Sequence, residues 1–300
     1  MNLVDRNSMI NWALLMGLVA LWGTSFLVIA ISVDTIDPIS IVFYRLVLGA
    51  LVLALVVFAR GQKFPRSASI WGGFLLMAIA GNALPFFLIA WGQQTIDSGV
   101  AGMIMAIMPL MTMVFAHYLV QGETLNRYKI IGFTMGISGV TLLLGPVFEG
   151  GARALLSGLA IFTAATCYAV NAILIKRLPR FSPMVGACGV LIMASLVLLP
   201  IWLVMAPENN NISEDSMLAV IWLGIGPTGI ATIILFSVID RAGPTFLSTI
   251  NYLVPVVAFF CGAWLLAEPV SWHHFVALGT ILSGIAITRI RINLKSSVES

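Results

Sequence analysis

Ten apolar runs of membrane-spanning length fill almost the whole of this 300-residue chain, at roughly 11–32, 38–59, 70–92, 98–120, 127–147, 154–175, 182–205, 217–239, 244–266 and 271–290. A helix needs about 20 apolar residues to cross the hydrocarbon of a bilayer, and each run meets that length. The runs are continuous, not alternating, which makes the strands of a barrel a poor alternative. Backbone polar groups in lipid must be satisfied within their own segment, as a helix does. Hydrophobic residues make up 60% of the chain and charged residues 9%, too few charges to clothe a soluble domain of this size. The expected fold is an all-α integral membrane protein of ten transmembrane helices.

The runs fall into two sets of five. Glu123 and Glu268 stand 145 residues apart, and so do the pairs Ser138-Gly139 and Ser283-Gly284. Pro109 and Pro255 interrupt the fourth and ninth runs ahead of those glutamates. Internal duplication in an apolar chain is the signature of secondary transporters, whose repeats surround a site near the bilayer midplane. An odd number of helices per repeat inverts the second copy. The expected organisation is therefore a first five-helix repeat over 1–150 and a second, inverted repeat over 151–300.

Charge sets the expected orientation. With the N-terminus in the cytoplasm, that side collects Arg6, Arg60, Lys63, Arg66, Arg127, Lys129, Lys176, Arg177, Arg180, Arg241, Arg289, Arg291 and Lys295, against Arg153 alone on the other. This bias predicts that both termini are cytoplasmic. The outer loops carry Asp34, Asp37, Asp97, Glu149, Glu208, Glu214, Asp215 and Glu268, and Pro207 to Ser216, with Asn209, Asn210 and Asn211, reads as a solvated outer connection. Asp5 and Arg6 precede a first span without a small-residue cleavage site, so the first helix is expected to be retained. Cys167, Cys188 and Cys261 lie inside spans without metal-ligand spacing and read as small apolar residues.

Candidate pocket residues are polar, kinked or adaptable positions at membrane depth. The third run carries Asn82, Pro85, Phe86, Phe87 and Trp91, with Asn82 and Phe86 one turn apart. A Pro removes a backbone hydrogen bond, and irregular backbone at that depth is tolerated where it borders protein or a cavity. The eighth run has Gly226-Pro227-Thr228-Gly229, and Gly226 falls on Gly81 at the same offset of 145. The ninth sets Ser248, Asn251 and Pro255 on one face with Tyr252 beside them. The fourth is Met-rich, with Met103, Met105, Met108, Met111 and Met113 around Pro109 and Thr112. Flexible thioethers suit a tolerant pocket, although such residues equally serve helix packing. Cys167, Tyr168 and Asn171 in the sixth run can face the same space.

Two ionisable groups need separate treatment. A charged Arg inside a span costs at least about 2.5 kcal/mol on insertion scales, so Arg45 needs a partner or a route to the interface. It lies about seven residues, roughly 10 Å of helical rise, from the outer end of its run. It is expected to act as a structural anchor reaching that interface in preference to binding a substrate carboxylate. His117, near the cytoplasmic end of the fourth run, is expected to be a neutral imidazole bonded to a carbonyl. Its near-neutral pKa also makes it the one candidate for proton coupling. Gln93, Gln94, Glu123 and Glu268 read as interfacial or packing positions.

Leu21-Trp22-Gly23-Thr24-Ser25-Phe26 in the first run, Pro38 followed by Phe43-Tyr44-Arg45 in the second, and Pro-then-Glu in the fourth and ninth resemble the EamA branch of the drug/metabolite transporter superfamily. Among its members, exporters of aromatic and other amino acids of the YddG type are similar in size and helix count. The resemblance implies a central cavity lined by the third, fourth, eighth and ninth helices with help from the first and sixth, while the fifth and tenth pack at the side. The expected substrate-binding residues are Asn82, Phe86, Trp91, Met108, Thr112, Tyr168, Asn171, Asn251 and Tyr252, with helix breaks at Pro85, Pro109, Pro227 and Pro255 and possible coupling at His117.

Enzymatic readings fare worse. Gly136-Ile137-Ser138-Gly139 matches the string of rhomboid-type intramembrane serine proteases, but in the second copy Ile281 breaks it. Small residues packing helices together explain both copies, whereas a nucleophile explains one. No nucleotide-binding loop is present, so ATP does not drive the chain directly. A sugar-phosphate or nucleotide-sugar exchanger would want several basic groups in the cavity, where the sequence offers Arg45. The expected activity is therefore export of small amphipathic metabolites, foremost amino acids with aromatic or other apolar side chains, by alternating access in an inner membrane. The expected partners are the small-molecule substrate and the lipid bilayer, with no nucleic acid, metal or cofactor.

Overall fold

The computed structural model describes residues 3–149, 151–175, 182–205 and 211–289, and the side chains of 3–6 and 146–149 are not described. Lys176, Arg177, Arg180, Glu208, Asn209, Asn210, Arg291 and Lys295 lie outside the described residues, as do the side chains of Arg6 and Glu149. Every regular element among the described residues is helical.

The chain runs through α1 (Leu3–Val33), α2 (Pro38–Ala59), α3 (Ala68–Ala78), α4 (Leu84–Gly92), α5 (Ser98–Met105), α6 (Met108–Leu119), α7 (Arg127–Glu149), α8 (Gly151–Ile175), α9 (Pro183–Met205), α10 (Glu214–Leu223), α11 (Ala231–Leu247), α12 (Ile250–Leu265) and α13 (Trp272–Thr288). A π-helical turn, Ile79–Ala83, joins α3 to α4, and a second, Gly224–Ile230, joins α10 to α11. With α5 and α6 also taken together as one span over Ser98–Leu119, the elements give eight helices long and apolar enough to cross a membrane, together with two shorter apolar helices, α12 and α13. The sequence places a longer span at 244–266. The backbone breaks at Gly243, whose φ of 80° suits glycine, and Pro244 follows it in the helical segment grouped with α11. A turn at Ser248 and Thr249 then interrupts the run, so that α12 begins only at Ile250.

Local chemistry explains the other boundaries. Asp37 accepts from the backbone N–H of Ser40 at 3.0 Å, and Pro38 opens α2 at a position that needs no donor. Ser213 caps α10 through the N–H of Ser216 at 3.1 Å. Pro109 cannot donate to the carbonyl one turn earlier, and the fourth run parts into α5 and α6 at Ala106 and Ile107. Pro255, by contrast, sits inside an unbroken α12.

Charges segregate to the two ends of the bundle. Arg60, Lys63, Arg66, Arg127, Lys129, Arg241 and Arg289 mark one end, and Asp34, Asp37, Asp97, Arg153, Glu214, Asp215 and Glu268 mark the other. Between them large apolar side chains such as Leu55, Val204 and Trp264 are exposed on the outside of the bundle, as a lipid-facing surface requires. At the Asp34 end the whole first helical turn of α5 is buried, with Gly99 and Gly102 set against Phe259 and Ala258 of α12. At the Arg60 end Pro244, Thr245, Tyr118 and Leu119 are exposed. Helices α7 and α13 lie along one another, Gly132 against the backbone of Gly284 and Gly139 against Ile281. Ser138 and Ser283 are exposed, while their glycine neighbours make the contact, in line with a packing role for both copies.

Candidate functional site

The eighth run explains how a polar cluster is held inside this apolar bundle. Pro227 has no N–H to give to the carbonyl of Leu223, one turn before it. The helix widens there into its π turn, and the Thr228 hydroxyl donates to that same carbonyl at 2.8 Å. The Thr228 oxygen still accepts, and it takes the Nε–H of Arg45 at 2.8 Å. The carbonyl of Pro227 accepts the indole N–H of Trp22 from α1 at 3.1 Å. One proline thus frees the groups that tie α1, α2 and the eighth-run helix together.

Glycines let α2 lie flush on that turn. A Cβ at Gly49 would strike Thr228, one at Gly224 would strike Leu48, and one at Gly229 would strike Val52. Arg45 is consequently only 7% exposed. It does not reach the outer end of the bundle, which corrects the sequence expectation of an anchor at the interface. Its guanidinium carbon instead lies 3.8 Å from the ring centroid of Phe86 on α4, close enough for cation–π attraction. The hydrogen bond to Thr228 and the aromatic face, both inside the bundle, outcompete the path to the interface.

The third run repeats the device. Its π turn, Ile79–Ala83, begins 145 residues before that of the eighth run. Asn82 turns its amide back toward the carbonyl of Met77 at 3.5 Å. Gly81 has no side chain, and Asn171 of α8 fills the space. Phe86 packs against Tyr168, one turn from Asn171, with ring centroids 6.4 Å apart. Asn171 Oδ1 is buried and has no donor among the described residues.

Of the residues singled out from the sequence, Phe86, Tyr168 and Asn171 therefore gather with Arg45 and Thr228, and Asn82 borders them. The others are placed elsewhere. Trp91 is half-buried at the far end of α4. Thr112 donates to the carbonyl of Met108 within α6, at 2.9 Å. Tyr252 lies beneath Arg289 at the Arg60 end, 5.2 Å from the guanidinium carbon, and Asn251 is next to it in sequence. Nδ1 of His117 meets the carbonyl of Glu123 at 3.0 Å, so that nitrogen carries the proton. Two hollows, of about 520 and 410 Å³, open at the Asp34 end beside Asp34 and hold none of the expected substrate residues. The sequence singled out Thr228 only as part of a Gly-Pro-Thr-Gly string and gave it no role.

A sequence model of the EamA-like transporter family matches residues 9–145 and again residues 155–290. The chain belongs to this family. Similar proteins include the uncharacterized transporter YoaV of Bacillus subtilis, 22% identical over 89% of this chain and 90% of its own length. The uncharacterized inner membrane transporter YedA of Escherichia coli K12 is 25% identical over 91% and 88%. A WAT1-related chloroplastic protein of Arabidopsis thaliana is 23% identical over 98% of this chain and 71% of its own. A solved crystal structure superposes with a TM-score of 0.68 over 95% of this chain and 97% of the other, at 21% identity, and shows the fold to be an established one. An all-α, multi-pass membrane protein of a transporter family is what fold and family together give.

Proposed function

We propose that this EamA-family chain is a secondary transporter that exports small amphipathic metabolites, foremost amino acids with aromatic or other apolar side chains. In this reading residues 1–150 and 151–300 are inverted five-helix repeats that alternate access to a central cavity, with both termini in the cytoplasm of an inner membrane. The observation that carries it is the pair of π turns, Ile79–Ala83 and Gly224–Ile230, offset by 145 residues and flanking buried polar groups. Helices broken at matching points of two repeats are where transporters of this design hold substrate. The unequal packing of the two repeats supports alternation: the first turn of α5 is buried against α12, while the corresponding start of the ninth run is exposed at the Arg60 end.

A phosphate-bearing substrate is disfavoured because Arg45 is the only Lys or Arg within the bundle among the described residues, and phosphate recognition favours several cations. Passive flux or exchange is favoured over proton coupling. The acids among the described residues lie at helix ends or in connections, save Asp240, which is exposed in α11 just before the break at Gly243, and His117 is occupied by the carbonyl of Glu123. The test is flux of radiolabelled amino acids in liposomes holding the purified protein. A substrate gradient alone should drive flux, and His117→Gln should change its rate without removing that dependence. Flux that appears only with an imposed pH gradient overturns the passive mechanism, and no flux of any amino acid overturns the substrate class.

A further inference from the structure

We propose that Arg45 is the site at which this protein receives the carboxylate of its substrate. The inference deepens the transport reading above, which supplies the substrate class, and rests on three observations that are independent of it. First, Arg45 is a buried cation without an acidic partner. It forms no ion pair among the described residues, and the acids there lie at helix ends or in connections, save Asp240, which is exposed in α11 just before the break at Gly243. A charge removed from water costs several kcal/mol unless it is paired, and one neutral hydroxyl with one aromatic face compensates only in part.

Second, the guanidinium is held for an end-on partner. Thr228 takes Nε, and no hydrogen-bond acceptor among the described residues stands against Nη1 or Nη2. Phe86 lies against the other side of the group, its ring centroid 3.8 Å from the guanidinium carbon. The two remaining nitrogens together present the parallel donors that a carboxylate accepts in bidentate fashion. A side chain already fixed in this way loses little rotational freedom on binding.

Third, the surroundings suit a single carboxylate carried on an apolar body. Phe86 and Tyr168 supply aromatic walls, and the buried Oδ1 of Asn171 offers a lone pair still without a donor. A phosphate dianion would leave one charge unmatched against a single guanidinium. A carboxylate neutralises it. The cost of keeping Arg45 in the bundle then falls when substrate arrives, so the empty site is strained electrostatically and the loaded one is not.

The test uses the purified full-length protein in detergent and reads ligand-induced shifts of the thermal unfolding midpoint across a concentration series. The probes are phenylacetate, indole-3-acetate and 4-methylpentanoate, each with its neutral amide, and inorganic phosphate. At least one carboxylate should bind, with an apparent affinity at least about tenfold above its amide, as expected for a hydrogen bond to a charged group. Phosphate should give no shift. Arg45→Gln should abolish the preference for acid over amide. Equal binding of acid and amide, binding of none of the carboxylates, or a preference that survives Arg45→Gln overturns the proposal. If Arg45→Gln does not fold, the wild-type comparison still decides, and Arg45→Lys serves as the second variant: it should retain charge preference at reduced affinity. None of these readouts requires flux, so failure of amino-acid transport and failure of this site are separable.

Discussion

The carboxylate of Glu268 closes the N-terminus of α5 across the bundle: Oε1 accepts from the N–H of Ser98 at 2.7 Å and Oε2 from that of Gly99 at 2.9 Å. Two of the unpaired donors of a helix start are met by one charged side chain from the far half of the chain. Gly262 makes room for it, since a Cβ there would strike Oε2. Losing a helix cap costs about 0.5–2 kcal/mol, and the charge raises the figure toward the upper end. Glu268→Ala is therefore expected to lower the thermal midpoint of the purified protein by several degrees, and Glu268→Gln by less. Equal midpoints for wild type and Glu268→Ala in the same detergent would show the cap to be energetically idle.

Asp97 occupies the N-cap position of α5 yet makes no capping bond, because Glu268 already holds the donors. Partial burial, and then the nearby Glu268, raise its pKa above the ordinary carboxylate value of 3.8. An acid that binds its proton more tightly when folded than when unfolded makes the folded state less stable at neutral pH. That penalty fades as pH falls through the raised value toward 3.8. Asp97→Asn should accordingly raise the thermal midpoint at pH 7, and the gain should shrink in acid. A gain that is constant from pH 7 to pH 4, or a loss at pH 7, contradicts this assignment.

How far the sequence could see these arrangements depends on the range of the interaction. Proline breaks are local, and Pro85, Pro227 and the echo of Gly81 in Gly226 marked the two places where the helices widen into π turns. Pro255 looked the same in sequence, yet α12 continues through it, while the ninth run is interrupted upstream, at Ser248 and Thr249. The partner of Arg45 was not legible. Thr228 is 183 residues away, and whether a mid-span arginine runs out to the interface or inward depends on how closely α2 packs on the π turn. Glu268 was legible as a helix-end acid, but not as the cap of a helix 170 residues earlier. Asn82, Phe86, Tyr168 and Asn171 shared polarity or aromaticity at membrane depth with Trp91, Asn251 and Tyr252. Only the packing of α8 against the third run separates the first group from the second.

Helix contacts made through glycine should be sharply position-dependent. A Cβ at Gly132 would meet the carbonyl of Gly284, which is backbone and cannot rotate away, whereas one at Gly72 in α3 meets nothing within 4 Å. Overpacking costs about 1–3 kcal/mol, and alanine in a helix interior is favoured over glycine by up to about 1 kcal/mol. Gly132→Ala should lower the thermal midpoint, and Gly72→Ala should leave it level or raise it. The same response from both variants would mean that α7 and α13 are not held by this contact.

Orientation follows from the segregation of charge between the two ends. Cationic loops are retained in the cytoplasm during insertion, and Arg60, Lys63 and Arg66 share a connection at the end opposite Asn211 and Ser213. In a background with Cys167, Cys188 and Cys261 replaced by Ala, a membrane-impermeant maleimide applied to intact cells is expected to label Asn211→Cys and not Lys63→Cys. After permeabilisation both should react, because Asn211 and Lys63 are exposed. Labelling of Lys63→Cys alone in intact cells would invert the orientation and place the Glu268 cap on the cytoplasmic side. Labelling of both would put the two ends on one side of the membrane, which an odd number of crossings between residues 63 and 211 forbids.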